Sequence, residues 1–403
     1  MRRKKFNDHP FPYHHEMELE ITSLTNMGQG VGRSDGWVVM VAFALPGERI
    51  RARVFRNHSN YSEADLIEIL RPSPHRFEPV CPLFGTCGGC QYQNLDYREQ
   101  LEWKRRQVAE LLERMVGIAA TVEPVIPSPR IYGYRSKLTP HFRKPARGEK
   151  PSIGFLACGA RRRIVDVETC PIAMDGINRA LPEVRGRVLA NIDRYRKGAT
   201  LLLREGADGV ATDPNATITE TVGALNFRFQ AGEFFQNNPF ILERLIDHVR
   251  IEAGGAGIRF LIDAYCGSGL FCLGLSSKFE RLAGIEISDN AINAAAENAR
   301  RNGIENCRFL VGDAASIFAG VEFPPGKTCV VIDPPRKGSD ERFLQQLFEY
   351  GPARVVYVSC NPATQIRDLK RFEENAYAIR RVQPFDLFPQ TKHLECAVTL
   401  EKR

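Results

Sequence analysis

Between residues 259 and 362 the chain repeats one pattern, a short β-branched apolar run that stops at a residue able to do chemistry. RFLIDAY (259–265) runs into Cys266-Gly267-Ser268-Gly269; AGIEI ends at Glu286, FLVG at Asp313 and CVVI at Asp333 of DPPR; VVYVSCNP delivers Cys360 to a tight turn. Such runs read as strands. Acids at successive strand ends line the carboxyl edge of an open parallel sheet, where ligands bind. Taken singly, each acid reads equally well as a helix N-cap. Three at matching places are hard to assign to capping alone.

The glycine turn followed by a helix from Leu270 forms a strand–loop–helix nucleotide site. It is not a dinucleotide fingerprint, because the third glycine of G-x-G-x-x-G is replaced by Cys272. Glu286 follows the turn by about twenty residues, where a carboxylate binds ribose hydroxyls, which suits any adenosine-bearing cofactor. Cys360 precedes a segment of helical spacing, 363–374, whose N-terminal dipole favours a thiolate. The plain alternative for Cys360 is a small buried apolar side chain.

Upstream, residues 16–71 alternate short strands with glycine turns at Gly28, Gly30 and Gly32, predicting a small closed barrel of about five strands. Cys81, Cys87 and Cys90 follow in a glycine-rich loop, and Cys170-Pro171 comes much later. Four thiolates suit zinc or iron. One compact triplet plus a distant Cys-Pro favours an iron–sulfur cluster over paired zinc knuckles, and the spacing is not the C-x3-C-x2-C of radical enzymes. Residues 101–200 hold 20 Lys and Arg against 10 Asp and Glu, although the chain as a whole carries a net charge of only +7. Lys104-Arg105-Arg106, Arg143-Lys144 and Arg161-Arg162-Arg163 could therefore form a phosphate-binding face, with solvated helix faces and turns as the alternative. Residues 95–116 carry apolar residues at helical spacing. No apolar stretch is long enough to span a bilayer, and MRRKK leads into polar residues, so a cytoplasmic protein with no membrane partner is expected. A set of 11 cysteines there points to metal binding and catalysis instead of disulfides.

DAYCGSGLF, GIEIS, DPPRKG, SCNP, FFQNN and HLE together resemble the RNA 5-methyluridine methyltransferases, over essentially the whole chain. The strand–GQGVGR–strand–LPGERIRARV order is similar to the TRAM domain, an OB-like RNA-binding barrel. The resemblance implies an α/β fold in three domains: a TRAM-like barrel (14–72), a small central iron–sulfur domain (73–226) and a class I (Rossmann-like) methyltransferase domain (227–403). It implies Cys360 as nucleophile and Glu395 as the base that removes a proton. Gln236, Tyr265, Gly267, Glu286, Asp313 and Asp333 are implied at the S-adenosyl-L-methionine site, and Cys81, Cys87, Cys90 and Cys170 as ligands of a structural [4Fe–4S] cluster. Leu270 departs from the family, which often carries a polar residue there. The barrel and the cysteines are similar to the branch acting on large-subunit ribosomal RNA, so a ribosomal RNA partner is expected, with transfer RNA as the alternative, and the protein is expected to be a monomer.

The chemistry follows from the target. Carbon 5 of uracil is a weak nucleophile. A thiolate added at carbon 6 makes the ring an enolate whose carbon 5 attacks the sulfonium methyl, after which a base must remove the carbon 5 proton before the thiol leaves. The uracil must be unpaired or flipped out to be reached. A class I enzyme acting on adenine or protein nitrogen needs no cysteine nucleophile, so Cys360 and Glu395 together argue against it. An inactive iron–sulfur RNA-binding protein is the rival from another class.

Overall fold

A computed structural model describes residues 7–118, 120–145, 150–160, 162–312, 317–318 and 320–403. The chain divides into two compact units, one holding residues up to Gln107 with 156–163 and 390–392, the other holding the rest.

In the first unit, six strands, β1 (Glu16–Glu20), β2 (Ser23–Leu24), β3 (Gln29–Ser34), β4 (Trp37–Ala42), β5 (Arg49–Asn57) and β6 (Tyr61–Arg71), form one sheet in the order β1-β5-β6-β4-β3-β2. Alternate side chains point inward, as the period-2 pattern of β5 dictates, and Leu19, Val39, Val41, Ile50, Ala52 and Val54 make a common core. Gly30 is required by packing, because a Cβ there would lie 2.6 Å from the Ala44 carbonyl oxygen. The sheet has one strand more than expected. The extra strand is the two-residue β2, too short to show a period in sequence.

Helix α1 (Tyr97–Val116) carries the chain out of the first unit. Short strands follow: β7 (Lys137–Leu138), β8 (His141–Phe142), β9 (Ile153–Leu156) and β10 (Ile164–Asp166), then helix α2 (Asp175–Ala190), β11 (Ala199–Thr200), β12 (Leu203–Gly206) and β13 (Gly209–Ala211). They pair as β10-β9-β8-β11 and β13-β12-β7, and β14 (Thr217–Val222) with β15 (Leu225–Gln230) makes a hairpin.

After helix α3 (Pro239–Ala253) comes the largest sheet of the second unit, built from β16 (Phe260–Ala264), β17 (Arg281–Glu286), β18 (Cys307–Val311), β19 (Thr328–Ile332), β20 (Arg354–Ser359), β21 (Tyr377–Phe385) and β22 (Glu395–Lys402). The order is β18-β17-β16-β19-β20-β22-β21. The first five strands run parallel, and β22 enters antiparallel beside β20. Strands β16 and β19 are buried at every residue, which explains their continuous apolar runs: helices such as α3, α4 (Leu270–Leu275), α5 (Asp289–Arg301), α6 (Glu341–Tyr350) and α7 (Pro362–Glu374) leave no polar face to record. The strand order reverses between β16 and β19, and at such a switch point the loops leaving the carboxyl ends diverge and open a crevice. Among the described residues no helix is long and apolar enough to cross a membrane.

Candidate active site

The sequence-predicted residues of the second unit collect on the carboxyl edge of this sheet. Tyr265 and Gly267 follow β16, Glu286 ends β17, Asp333 follows β19 and Cys360 follows β20. Glu395 reaches the same edge because its strand runs the other way: Ser359 faces Cys396 across the β20–β22 ladder, so the register continues with Cys360 opposite Glu395. Gln236 lies buried just ahead of α3. Asp313 lies outside the described residues.

The glycine turn is shaped by backbone conformations that side chains disfavour. Gly267 and Gly269 have φ of 52° and 96°, and Tyr265, which has a Cβ, has a φ of 75°. Tyr265 tolerates this because its N–H and that of Cys266 both donate to the Ile285 carbonyl, at 2.9 and 3.0 Å. Glu286 is fixed by three backbone donors: Ile287 N–H at 2.8 Å and Ser288 N–H at 3.3 Å on Oε1, and Gly267 N–H at 3.3 Å on Oε2. Its carboxylate is thereby held at the crevice with acceptor capacity to spare. Ile287 and Val311 are exposed apolar residues at the ends of neighbouring strands and offer a flat face beside that carboxylate.

Asp263 is fully buried inside β16. Its Oδ2 accepts the Cys272 N–H at 3.0 Å while Oδ1 has no partner. Burial pushes its carboxyl up to about 8, opposed by the Cys272 hydrogen bond and helped by the charges of Asp333 and Glu286.

At the other end of the edge, Cys360, Glu395, Asp333 and Arg336 interact directly. Burial pushes the Cys360 thiol up to about 12, the carboxylates of Glu395 and Asp333 push the same way, and the charge and hydrogen bond of Arg336 pull it down. Cys360 stands ahead of α7, whose N-terminal dipole favours a thiolate, while desolvation first and then the two neighbouring acids act the other way. Glu395 is buried, with Oε1 unpartnered, and its carboxyl is pushed well above the usual range by burial and then by Asp333. Burial likewise raises Asp333, to about 7. A thiol, two raised carboxyls and one guanidinium can pass protons at neutral pH while keeping the negative charge small.

Asn361 ties this cluster together. Its side-chain amide donates to the Arg336 carbonyl at 2.9 Å, and Thr364 Oγ1 donates to the same oxygen at 3.2 Å. Behind it, Asp368 on α7 accepts from the Tyr357 hydroxyl at 2.8 Å and the Ser339 N–H at 2.9 Å, anchoring strand, helix and loop. Arg336, Asn361 and Asp263 received no role from sequence. All three stand inside the quoted motifs DPPRKG, SCNP and DAYCGSGLF, so the motif was the signal, and burial and contact had to supply the roles.

Of the cysteines expected to bind metal, Cys81, Cys87 and Cys90 belong to the first unit and Cys170 to the second. Among the described residues no three His, Cys, Asp or Glu side chains converge as metal ligands. The Cys87 thiol is raised by burial and by its neighbours Cys81 and Cys158, against a hydrogen bond from the Gly89 backbone. Of the basic clusters, Arg105 and Arg106 are paired with Glu102 on α1, and Arg161 lies outside the described residues.

A mostly parallel sheet with a glycine turn, an acid at the next strand end and a thiol–carboxylate edge, in a chain that opens with a barrel-like six-stranded sheet, points to a methyltransferase-type enzyme with an RNA-binding module. Residues 216–318 and 326–403 match the family described as tRNA (Uracil-5-)-methyltransferase, and residues 15–67 match the TRAM domain. The chain is 42% identical to the tRNA (uracil(54)-C(5))-methyltransferase of Schizosaccharomyces pombe, covering 98% of this chain and 79% of the relative. It is 34% identical to the enzyme of the same name from Saccharomyces cerevisiae, over 97% and 74%. Among solved structures it is similar to the Pyrococcus abyssi tRNA (uracil-54, C5)-methyltransferase bound to S-adenosyl-L-homocysteine, with a TM-score of 0.72, 25% identity, and 95% and 100% coverage. The chain belongs to the RNA uracil-C5 methyltransferases.

Proposed function

We propose that this protein transfers the methyl group of S-adenosylmethionine to carbon 5 of a uridine in transfer RNA, at the position its relatives' names give as 54. The observation that carries the chemistry is the electrostatic cluster of Cys360, Glu395, Asp333 and Arg336, just beyond the Ser359–Cys396 pair that ends the β20–β22 ladder. Cys360 loses its proton to solvent and adds to carbon 6 as the thiolate; Arg336 stabilises the enolate, whose carbon 5 takes the sulfonium methyl and leaves S-adenosylhomocysteine. Glu395 then takes the carbon 5 proton, a role suited to a buried carboxyl whose proton affinity is raised. Gln236, Tyr265, Gly267, Glu286 and Asp333 hold the cofactor, with Glu286 on the ribose and Ile287 and Val311 against the adenine; Asp313 completes that set from sequence. The ribosomal target expected from the barrel and cysteines gives way to transfer RNA, because relatives 42% and 34% identical over nearly the whole chain are named for it.

Incubation of the purified protein with labelled S-adenosylmethionine and either total transfer RNA or ribosomal RNA, followed by nucleoside mass spectrometry, tests the reading. Labelled 5-methyluridine is expected in transfer RNA and is expected to vanish when uridine 54 is changed to cytidine. Label confined to ribosomal RNA would overturn it.

A metal role for Cys81, Cys87, Cys90 and Cys170 is supported by their spacing and by the family resemblance, and no step of the reaction passes through it. Protein purified without oxygen should be brown and contain iron and sulfide if they hold a [4Fe–4S] cluster. Stoichiometric zinc without iron would reject the cluster.

A further inference from the structure

The segment that carries Gln236 is held by an arginine that the reaction does not use. Arg204, on β12, is 0% exposed. Its Nη1 donates to the Glu233 carbonyl at 2.9 Å and its Nη2 to the Phe235 carbonyl at 3.1 Å, while Nε has no hydrogen-bond partner. The Phe229 ring lies 4.6 Å from the guanidinium carbon. Among the described residues Arg204 makes no ion pair within contact distance. The acid that acts on it is Glu220 on β14, itself buried.

A buried cation without a salt bridge is costly, so the chain accepts an expense that ordinary packing does not require. What the charge obtains is two carbonyls on either side of Phe234. That residue is 71% exposed, whereas Phe235 beside it is buried and stacked on Phe229, so packing fixes the Phe235 ring and the guanidinium fixes the main chain on both sides of Phe234. Lys137 Nζ reaches the Gly232 and Glu233 carbonyls at 3.2 and 3.3 Å. Asn238 Nδ2 ties the far end to Ser128 Oγ and the Leu387 carbonyl, both at 3.0 Å. Gln236 sits in the short span between the Arg204 anchor and the Asn238 anchor. The same loop, through Glu233, borders a cleft of about 400 Å³ that Phe229, Gln230 and the glycine-turn residue Ser268 also line.

We propose that Arg204 is a positioning residue of the cofactor site: by fixing the main chain at Glu233 and Phe235 it sets Gln236 against S-adenosylmethionine. This rests on the assignment of Gln236 to the cofactor. A group held through its supporting shell loses affinity when the shell loosens, even though the shell never touches the ligand.

The test uses the full chain with the variants R204M, R204K and Q236A. It reads S-adenosylhomocysteine affinity by calorimetry, RNA affinity by filter binding, and the separate KM values for cofactor and RNA. R204M should weaken cofactor affinity roughly tenfold or more and raise the cofactor KM, with RNA affinity and RNA KM changed by less than about twofold. R204K, which keeps the charge and reaches one carbonyl, should fall between. If R204M does not fold, R204K decides alone. A folded arginine variant with cofactor affinity within about twofold of wild type overturns the proposal, and if Q236A has meanwhile lost affinity, only the positioning role falls. If Q236A keeps its affinity, the Gln236 assignment is wrong and the positioning role falls with it. A parallel loss of RNA affinity in R204M would also overturn it, since general loosening and not loop placement would then be the cause.

Discussion

The Asn361 side-chain amide donates to the Arg336 carbonyl at 2.9 Å, so the turn that presents the Cys360 thiol is tied directly to the loop that presents Asp333 and Arg336. Reactive thiol, acid and guanidinium come from different strand ends, and nothing in the strands themselves fixes the spacing of two loops. Asn361→Ala removes one neutral hydrogen bond, worth about 1 kcal/mol. It should lower kcat roughly tenfold and leave cofactor affinity unchanged, because Glu286 and the glycine turn are untouched. Single-turnover kinetics with calorimetry on the same variant check both halves.

Much of this edge was legible in sequence, for a physical reason. A strand buried on both faces writes itself as an apolar run and must end where its loop turns polar, so Glu286, Asp333 and Cys360 could be placed on one edge from pattern alone. Glu395 could not be placed that way. It starts its strand instead of ending it, and only the antiparallel register beside β20 brings it to Cys360. What raises the Cys360 thiol was not readable, because the dipole of α7 is local, whereas burial comes from the assembled sheet edge and the two acids from residues 27 and 35 positions away in the chain. Arg204 was invisible, since a lone arginine inside a strand pattern gives no sign of being wholly buried.

Cofactor binding should depend strongly on Glu286. Its carboxylate is prearranged by three backbone N–H groups, and two ribose hydroxyls donating to a charged acceptor are worth about 1.5–3 kcal/mol each. Glu286→Ala should therefore raise the dissociation constant for S-adenosylmethionine by roughly two to four orders of magnitude, and Glu286→Gln by less, as measured by calorimetry.

Stability should fall as pH rises across the range set by Asp263. Its carboxyl ionises near the usual carboxylate value when unfolded and near 8 when folded, so the folded state binds the extra proton. Stability from the neutral form is complete below about pH 4 and lost as pH climbs to 8. Asp263→Asn keeps a neutral side chain at all pH values, so its unfolding midpoint should lose that part of the slope between pH 5 and 8. Urea melts of the ligand-free protein at several pH values report it, and an unchanged slope in the variant would count against the raised carboxyl.

The thiol of Cys360 should react slowly at neutral pH in the free enzyme. With its ionisation pushed up to about 12, alkylation at Cys360 should rise about tenfold per pH unit through pH 9 without a plateau. Removing the positive charge with Arg336→Met should slow alkylation at any given pH, whereas removing a negative charge with Glu395→Gln should speed it. Peptide mass spectrometry restricted to the Cys360 peptide separates this thiol from the exposed Cys158.

Cys360 and Glu395 face one another but act at different moments, so their variants should fail differently. Cys360→Ala cannot add to carbon 6, and with no enolate there is no methyl transfer and no adduct. Glu395→Gln retains the thiol and the cofactor contacts, so addition and methylation proceed, but the carbon 5 proton has no acceptor and the methylated adduct cannot eliminate. Labelled transfer RNA should therefore remain attached to Glu395→Gln on a denaturing gel and not to Cys360→Ala. Release of methylated RNA by Glu395→Gln at the wild-type rate would assign the base elsewhere, with Asp333, the acid that also raises Glu395, the next residue to test. Turnover by Cys360→Ala would remove the covalent route altogether. A Glu395→Gln protein that neither traps nor turns over is read against its cofactor affinity: if that is intact, the carboxyl is needed before addition, and its place in the cycle moves ahead of methyl transfer.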